Sequence, residues 1–226
     1  MSSISFDGVS HAFGERMVLR DIRLNLTERR VGIVGANGSG KSTLVRLING
    51  LITPDSGTVT VDGLNVARNA KEVRRKVGFI FTNPDNQIVM PTVAEDVAFT
   101  LRRRGLTRDE VAARTTAALD RFGLSQHADH PAHRLSGGQK QLLALAAVLV
   151  ADPQIVVADE PTTLLDARNA RRITELLLGM SQQVIVVTHQ LELLAAFDRV
   201  VVIEDGRVVA DGTPEAALGS YRALLA

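Results

Sequence analysis

Short apolar runs of strand character recur along the chain and alternate with segments of helical spacing. Such runs occupy residues 30–34, 77–81, 155–158 and 184–187. Their continuous apolar character is typical of strands that are buried on both faces. Residues 167–178, between the last two runs, have helical spacing, so this part of the chain has the strand, helix, strand rhythm of a parallel sheet.

Other segments predict antiparallel hairpins. Residues 4–9 and 18–26 are β-like runs separated by a polar stretch, 11–16, which we expect to be a turn. Residues 58–61 alternate like a strand and lead into a hairpin signal, and residues 200–211 predict a second hairpin. The sequence thus predicts an antiparallel β arm beside the parallel core.

The middle of the chain has a helical pattern from Thr92 to about Gly123, with Thr92 and Glu95 placed as a capping box. We expect the three arginines at 102–104 to be a solvated helix end. The predicted fold is α/β, with an antiparallel β subdomain and an inserted helical subdomain. As a single domain of 226 residues, it has the β arm and α/β core at about 1–81 and 152–226, and the helical subdomain at about 82–151.

Composition narrows the function classes. The 45% hydrophobic content is ordinary for a globular core, and a net charge of +1 gives no electrostatic footprint for nucleic acid. The absence of cysteine excludes disulfides and thiolate metal sites. No signal peptide is indicated, and the longest apolar run, 142–151, is far short of the roughly 20 residues that cross a bilayer. We expect any membrane role to be peripheral.

Residues 35–42, GANGSGKS, fit the P-loop spacing and lie between a predicted strand and a predicted helix. Such a loop turns its backbone N–H groups towards a polyphosphate, Lys41 reaches the outer phosphates, and the Ser42 hydroxyl is placed to hold Mg²⁺. A glycine-rich turn with an incidental lysine is the alternative that this full match disfavours. The predicted nucleotide-binding residues here are Gly35, Asn37, Gly38, Ser39, Gly40, Lys41, Ser42 and Thr43.

Two acidic residues, Asp159 and Glu160, directly follow the buried run at 155–158. A pair of acids at a strand end is common, but with a P-loop upstream we predict that Asp159 holds the metal and that Glu160 activates a water. Phe13 has two interpretations, a core aromatic or a ring on a loop that stacks on a nucleotide base.

A second candidate anion site lies at Ser136, Gly137, Gly138 and Gln139, directly before a strongly helical segment. A serine and two glycines at a helix start offer N–H groups and a hydroxyl to a phosphate, although an ordinary helix cap has the same pattern. The simplest reason for two such sites in one chain is that the second serves the nucleotide of another copy.

The P-loop, the LSGGQ stretch at 135–139, the sequence DEPT at 159–162 and the pair TH at 188–189 together closely resemble the ATP-binding cassette of ABC transporters, across essentially the whole chain. The resemblance implies an ATPase in which two cassettes enclose two ATP molecules. It implies that Phe13 stacks on adenine and that Ser136 and Gly138 contact the γ-phosphate in trans. It also implies a place for Asp166 at the dimer seam and a γ-phosphate contact for His189.

A narrower resemblance lies in NPDNQ at 83–87 and PTVAEDVAF at 91–99, which are similar to the ATPases of energy-coupling factor (ECF) transporters. It implies uptake of a vitamin or metal ion at the cytoplasmic face of the membrane. The implied partners are an integral coupling (T-type) protein, contacted through a short helix that contains Gln87, and a substrate-binding (S-type) subunit. Residues 89–92 and 162–166 look most like the biotin-uptake branch, and the dimer is either a homodimer or a pair with a related cassette.

Two positions depart from the family pattern. Thr82 stands where the family usually has a glutamine that touches Mg²⁺, and its side chain is shorter and lacks the amide. Leu164 and Leu165 stand where a small residue and glycine are common. A second function class also stays open, a soluble ABC ATPase that serves iron-sulfur cluster assembly without transport. ABC ATPases of DNA repair or chromosome organisation are less favoured, because the chain has no long coiled coil.

Overall fold

The computed structural model describes residues 2–102 and 104–225, and Arg103 of the arginine triplet lies outside the described residues. The chain divides into two compact units. Unit 1 comprises Met1–Gly78, Gln154–Glu160 and Leu177–Ala226, and unit 2 comprises Phe79–Pro153 and Pro161–Leu176.

A six-stranded sheet forms the core of unit 1. Its strands are β3 Arg30–Val34, β6 Val77–Ile80, β7 Ile155–Asp159, β8 Gln183–Val187, β9 Arg199–Glu204 and β10 Arg207–Gly212. The order is β10-β9-β3-β8-β7-β6, with β6 beginning in unit 1. β3 pairs in parallel with β8 and β9, and β7 with β8. Every residue of β7 and β8 is buried, which explains the uninterrupted apolar runs.

The second sheet of unit 1 is antiparallel and has four strands in the order β2-β1-β4-β5. They are β1 Ile4–Phe13, β2 Arg16–Leu26, β4 Ser56–Val61 and β5 Leu64–Asn65. The α/β fold with an antiparallel subdomain, predicted from the sequence, is confirmed by these two sheets.

The turn predicted at 11–16 is confirmed only for residues 14 and 15, because β1 continues to Phe13 and β2 begins at Arg16. His11 is buried and pairs in register with Leu19, so a polar residue occupies the inner face of the hairpin. Only two residues form the connection, and Gly14 supplies the positive φ of 59° that a tight hairpin needs.

The helices of unit 1 flank its sheets. They are α1 Lys41–Ile48, α2 Ala70–Lys76, α7 Leu191–Leu194 and α8 Pro214–Leu225, and α6 Ala167–Gly179 ends in this unit. The helical pattern after residue 42 and the helix at 167–178 are confirmed, whereas α2 was not predicted. Only Val73 of α2 is buried, so the α2 segment lacks the apolar stripe by which a helix is recognised.

Unit 2 contains α3 Val93–Leu101, α4 Arg108–Phe122 and α5 Gly137–Leu149. The helical pattern predicted over 92–123 is interrupted, since α3 ends at Leu101 and a second capping box, Thr107 with Glu110, starts α4 after Gly105 with φ 74°. The capping box of Thr92 and Glu95 is confirmed. None of the described helices is long and apolar enough to span a bilayer.

Candidate nucleotide-binding site

The P-loop joins the end of β3 to the start of α1. Gly35 has φ 152°, and a Cβ there would lie 2.0 Å from the carbonyl oxygen of Ile203. Gly40, the residue before α1, has φ 107°, and a Cβ there would lie 2.8 Å from the Val18 carbonyl oxygen. Larger residues at these positions are excluded both by backbone conformation and by space, so the glycines fix the path of the loop.

Lys41 is the first residue of α1 and is only 5% exposed. Its Nζ donates hydrogen bonds of 2.8 Å to the carbonyl oxygens of Gly35 and Ala36. Burial lowers the pKa of Lys41, and the nearby carboxylates, led by Glu160, partly oppose that shift. The ammonium group is thus held against the inner edge of the loop, where a polyphosphate would add acceptors of opposite charge.

Ser42 and Asp159, the two predicted metal ligands, come together although 117 residues separate them. Ser42 Oγ donates to Asp159 Oδ1 at 2.8 Å, and Arg46 Nη2 lies 3.4 Å from Asp159 Oδ2. Burial raises the pKa of Asp159, which is 1% exposed. Hydroxyl and carboxylate oxygens are the ligands that Mg²⁺ prefers, and a buried carboxylate gains most from a nearby cation, so these residues fit Mg²⁺.

Glu160 follows the last residue of β7 and has φ 51°, an unusual backbone conformation for this residue type. Its backbone N–H donates to the Val187 carbonyl oxygen at 2.9 Å. Its carboxylate Oε2 lies 3.4 Å from Nδ1 of His189, which comes two residues after the end of β8. The predicted general base and the predicted γ-phosphate sensor are therefore neighbours within unit 1.

Lys41, Ser42 and Glu160 line one cavity of about 270 Å³. Phe13, at the end of β1, lines the cavity and is 55% exposed, which leaves its ring available to a ligand. Arg16 and Val18 of β2 also line the cavity, and sequence reasoning missed both. The cavity is lined by Phe13, Arg16, Val18, Asn37, Gly38, Gly40, Lys41, Ser42, Thr43 and Glu160.

Ser39 is a further predicted P-loop residue, and it is buried. Its Oγ is inaccessible and has no hydrogen-bond partner within the part of the chain that the structure describes. Its backbone N–H is directed to the Ala36 carbonyl at 3.2 Å, which tightens the loop.

The LSGGQ stretch lies in unit 2, where Ser136 precedes α5. Ser136 Oγ accepts the backbone N–H of Gln139 at 3.3 Å, and Gln139 Oε1 accepts the backbone N–H of Ser136 at 2.9 Å. This capping box fixes the helix start, so the ordinary helix cap is present in this chain. Gly137 is exposed and Gly138 is buried against Asn169.

Asp166 directly precedes α6 and holds its first turn. Its carboxylate accepts hydrogen bonds from the Asn169 backbone N–H at 2.8 Å and from Asn169 Nδ2 at 2.9 Å. These bonds lower the pKa of Asp166, and the bond from the Asn169 backbone has the larger effect. Leu164, one of the two departures from the family pattern, is 61% exposed.

Gln87 and Thr82 also lie in unit 2. Gln87 directly follows a one-turn 3₁₀ helix at Pro84–Asn86, so the expectation that it lies inside a short helix is wrong by one residue. Its Oε1 accepts from the Phe81 N–H at 3.3 Å, and its Nε2 donates to the Ala144 carbonyl at 3.1 Å. The half-buried side chain thus ties the 3₁₀ turn to α5. Thr82 is half-buried just before this turn.

The strand, glycine loop and helix of residues 30–48, with Ser42 bonded to Asp159, define a P-loop nucleotide-binding protein. The family model described as "ABC transporter" matches residues 19–163. The chain belongs to this family, is an ABC-type ATPase and binds ATP, which confirms the resemblance seen in the sequence.

Relatives and solved structures agree with this assignment. The chain is 45% identical to the biotin transport ATP-binding protein BioM of Rhizobium etli, covering 99% of this chain and 100% of BioM. It is 38% identical to the energy-coupling factor transporter ATP-binding protein EcfA1 of Ligilactobacillus salivarius, covering 94% and 78%. The structure of cbiO1 of Clostridium perfringens, described as part of the ABC transporter complex cbiONQ, matches with a TM-score of 0.85 at 31% identity, covering 98% and 92%.

Proposed function

We propose that this ATP-binding subunit of an ABC transporter drives import of the ECF type. The observation that carries the ATPase part is the convergence of Lys41, Ser42, Asp159, Glu160 and His189 around one P-loop. The likeness to BioM and EcfA1 across nearly the whole chain supports the import part.

The proposed catalytic roles follow from chemistry and position. Lys41 neutralises charge on the phosphates, and Ser42 with Asp159 would hold Mg²⁺, which supplies charge stabilisation in phosphoryl transfer. Glu160 accepts a proton from the attacking water, because its carboxylate lines the cavity beside Lys41. His189 reports the γ-phosphate to this carboxylate across 3.4 Å. Phe13 stacks on the adenine ring at the exposed edge.

We further propose that two copies, or this chain and a related cassette, close around ATP. Ser136, Gly137, Gly138 and Gln139 then face the γ-phosphate bound by the other cassette, and Asp166 lies at the seam. ATP with its γ-phosphate joins the two cassettes while ADP and phosphate do not, so binding and hydrolysis move the dimer between two states. In this proposal residues 1–226 form one cassette domain, with residues 82–151 as its helical subdomain.

The proposed partners are a T-type coupling protein, reached through the segment around Gln87, and an S-type substrate-binding subunit. The place of action is the cytoplasmic face of the membrane. The cargo is a vitamin or metal ion, with biotin as the first choice because BioM is a biotin transport protein. No nucleic acid is part of the proposal, since the net charge is only +1.

A pull-down of the tagged chain from detergent-solubilised membranes tests this proposal, with mass spectrometry of the bound proteins. Recovery of a small integral coupling protein and a substrate-binding membrane subunit is expected, and the ligand of the second subunit identifies the cargo. Recovery of soluble partners alone would refute transport and favour the iron-sulfur assembly function.

Thr82 stands where the ABC family usually has a glutamine that touches Mg²⁺, and we propose that it acts through a bridging water. A threonine side chain is shorter than glutamine and lacks the amide. Thr82→Gln is expected to raise basal ATP hydrolysis several-fold, measured as phosphate release by the isolated chain. An unchanged rate would show that position 82 does not tune the site.

A further inference from the structure

Three side chains form a hydrogen-bonded row that leads to the start of α5. Gln139, whose Oε1 accepts the Ser136 N–H, has its Nε2 3.0 Å from His127 Nε2. His127 Nδ1 in turn lies 2.9 Å from His130 Nδ1. His127 and Gln139 are half-buried and His130 is exposed. All four residues belong to unit 2.

The positions of the protons in this row follow from one fixed point. Gln139 uses its carboxamide oxygen as the acceptor for Ser136, so its nitrogen must donate to His127 Nε2. His127 therefore carries its proton on Nδ1 and donates it to His130 Nδ1, and His130 is protonated on Nε2. Both imidazoles are neutral in this arrangement. A further proton on either ring would set two N–H groups against each other.

The turn that carries the two imidazoles is anchored to α3. The backbone N–H of Ala94 donates to the Ala128 carbonyl at 2.9 Å, and that of Val93 donates to the His130 carbonyl at 3.2 Å. Because the turn is fixed to the start of α3 by these two bonds, a change in the turn acts on α5 through Gln139.

The charged groups described around the turn form no ion pair with His127 or His130. Four acids of α3 and α4 and the lysine of α5 bond to other groups, namely Glu95 to Thr92, Asp96 to Val89, Glu110 to Thr107, Asp120 to Ser125 and Lys140 to Asp85. Asp109, the remaining acid of α4, is exposed. The turn itself carries Asp129, His133 and Arg134, all exposed. Among the described residues, none of these groups forms an ion pair with His127 or His130. The side-chain hydrogen bonds that the structure gives to the pair are those of the row itself.

We propose that His127 is a positioning residue for the LSGGQ helix start, and that proton uptake by the His127 and His130 pair loosens the cap that Gln139 gives to Ser136. This rests on the proposed role of Ser136 at the nucleotide of a second cassette. Histidine is the side chain whose charge changes between pH 5 and 8, so acidification reduces ATP turnover through this row.

The first test follows the row in the isolated chain by NMR with ¹⁵N labelling. The side-chain amide signals of Gln139 are expected to titrate together with the imidazole C–H signals of the pair. His127→Ala should abolish that titration, and His133→Ala, an exposed histidine on the same turn, should preserve it. Persistence of the Gln139 titration in His127→Ala would overturn the proposal. His127→Gln, closer in size, replaces the alanine variant if that variant does not fold.

The second test measures ATP turnover of wild type and variants from pH 6 to pH 8. The ratio of wild type to His127→Ala is expected to be about fivefold at pH 8, the factor for a lost helix cap, and to approach one at pH 6. His133→Ala should stay near wild type throughout. A ratio that does not change with pH would overturn the link to turnover. Absence of ATP turnover in the wild type at every pH would refute the proposed function instead. The NMR titration would then still test whether His127 acts on Gln139.

Discussion

Gly138→Ala tests how the LSGGQ helix start is packed. A Cβ at position 138 would lie 2.6 Å from Cγ and Nδ2 of Asn169 and 2.8 Å from its Oδ1. Ordinary contacts begin near 3.4 Å, so the carboxamide of Asn169 must move by about 0.8 Å. This movement costs free energy, because Asn169 Nδ2 donates a hydrogen bond to Asp166 Oδ2 at 2.9 Å.

The expected loss combines overpacking with a strained or broken hydrogen bond to a charged group. Because the carboxamide is the far end of a flexible side chain and Asp166 is exposed, we expect the low end of the overpacking range, about 1–2 kcal/mol of unfolding free energy. For a chain of this size that lowers the Tm by about 2–8 °C. Urea unfolding followed by circular dichroism measures the free energy directly.

Asn169→Ala supplies the matched control, since it removes the group that the new methyl would hit. We expect the double variant Gly138→Ala with Asn169→Ala to regain most of the lost stability relative to Asn169→Ala alone. ATP turnover of the double variant should stay at least about tenfold low, because the methyl still occupies the space proposed for a γ-phosphate. Equal stability of Gly138→Ala and wild type, or no rescue in the double variant, would refute the packing argument.

Three further outcomes are expected. Lys41→Met should weaken ATP binding at least about 100-fold in titration calorimetry, because it removes the buried ammonium beside the loop, and unchanged affinity would contradict its role. Glu160→Gln should lower phosphate release at least about 100-fold while ATP binding persists, and a fall in binding alone would contradict the base assignment. Burial raises the pKa of Asp96, so its ionised form destabilises the folded state above the unfolded pKa of about 4. Asp96→Asn should therefore match or exceed the stability of the wild type in urea at pH 8, and the difference should shrink towards pH 4. A loss of stability in Asp96→Asn that grows with pH would contradict this sign.

Patterns within short stretches of sequence predicted much of the fold. The apolar runs at 155–158 and 184–187 predicted buried parallel strands because strands covered on both faces need no polar alternation. The polar stretch at 11–16 misled the prediction, because the hairpin buries His11 and continues pairing to Phe13. Burial of a polar side chain is decided by the partner strand, which the local pattern does not contain.

The candidate site divides in the same way. Lys41 and Ser42 were predicted from spacing, since the P-loop needs glycines and a helix start within eight residues. Arg16 and Val18 line the same cavity but come from the β2 strand, and the sequence holds no local signal that brings β2 to the loop. Gly40 is the residue in the loop that depends on this contact, because the absence of a Cβ allows the Val18 carbonyl to approach.

The row from His127 to Ser136 shows why spacing could not have predicted the link between the turn and the helix start. Three histidines at 127, 130 and 133 are evenly spaced, yet only the first two contact each other and only the first reaches Gln139. What distinguishes His127 is the use of Gln139 Oε1 by the helix cap, which leaves the amide nitrogen to face an imidazole. The same capping box that the sequence suggested as the plain alternative to a phosphate site is therefore what fixes every proton in the row. A proton taken up by the row therefore acts on the cap first and on the phosphate contact second.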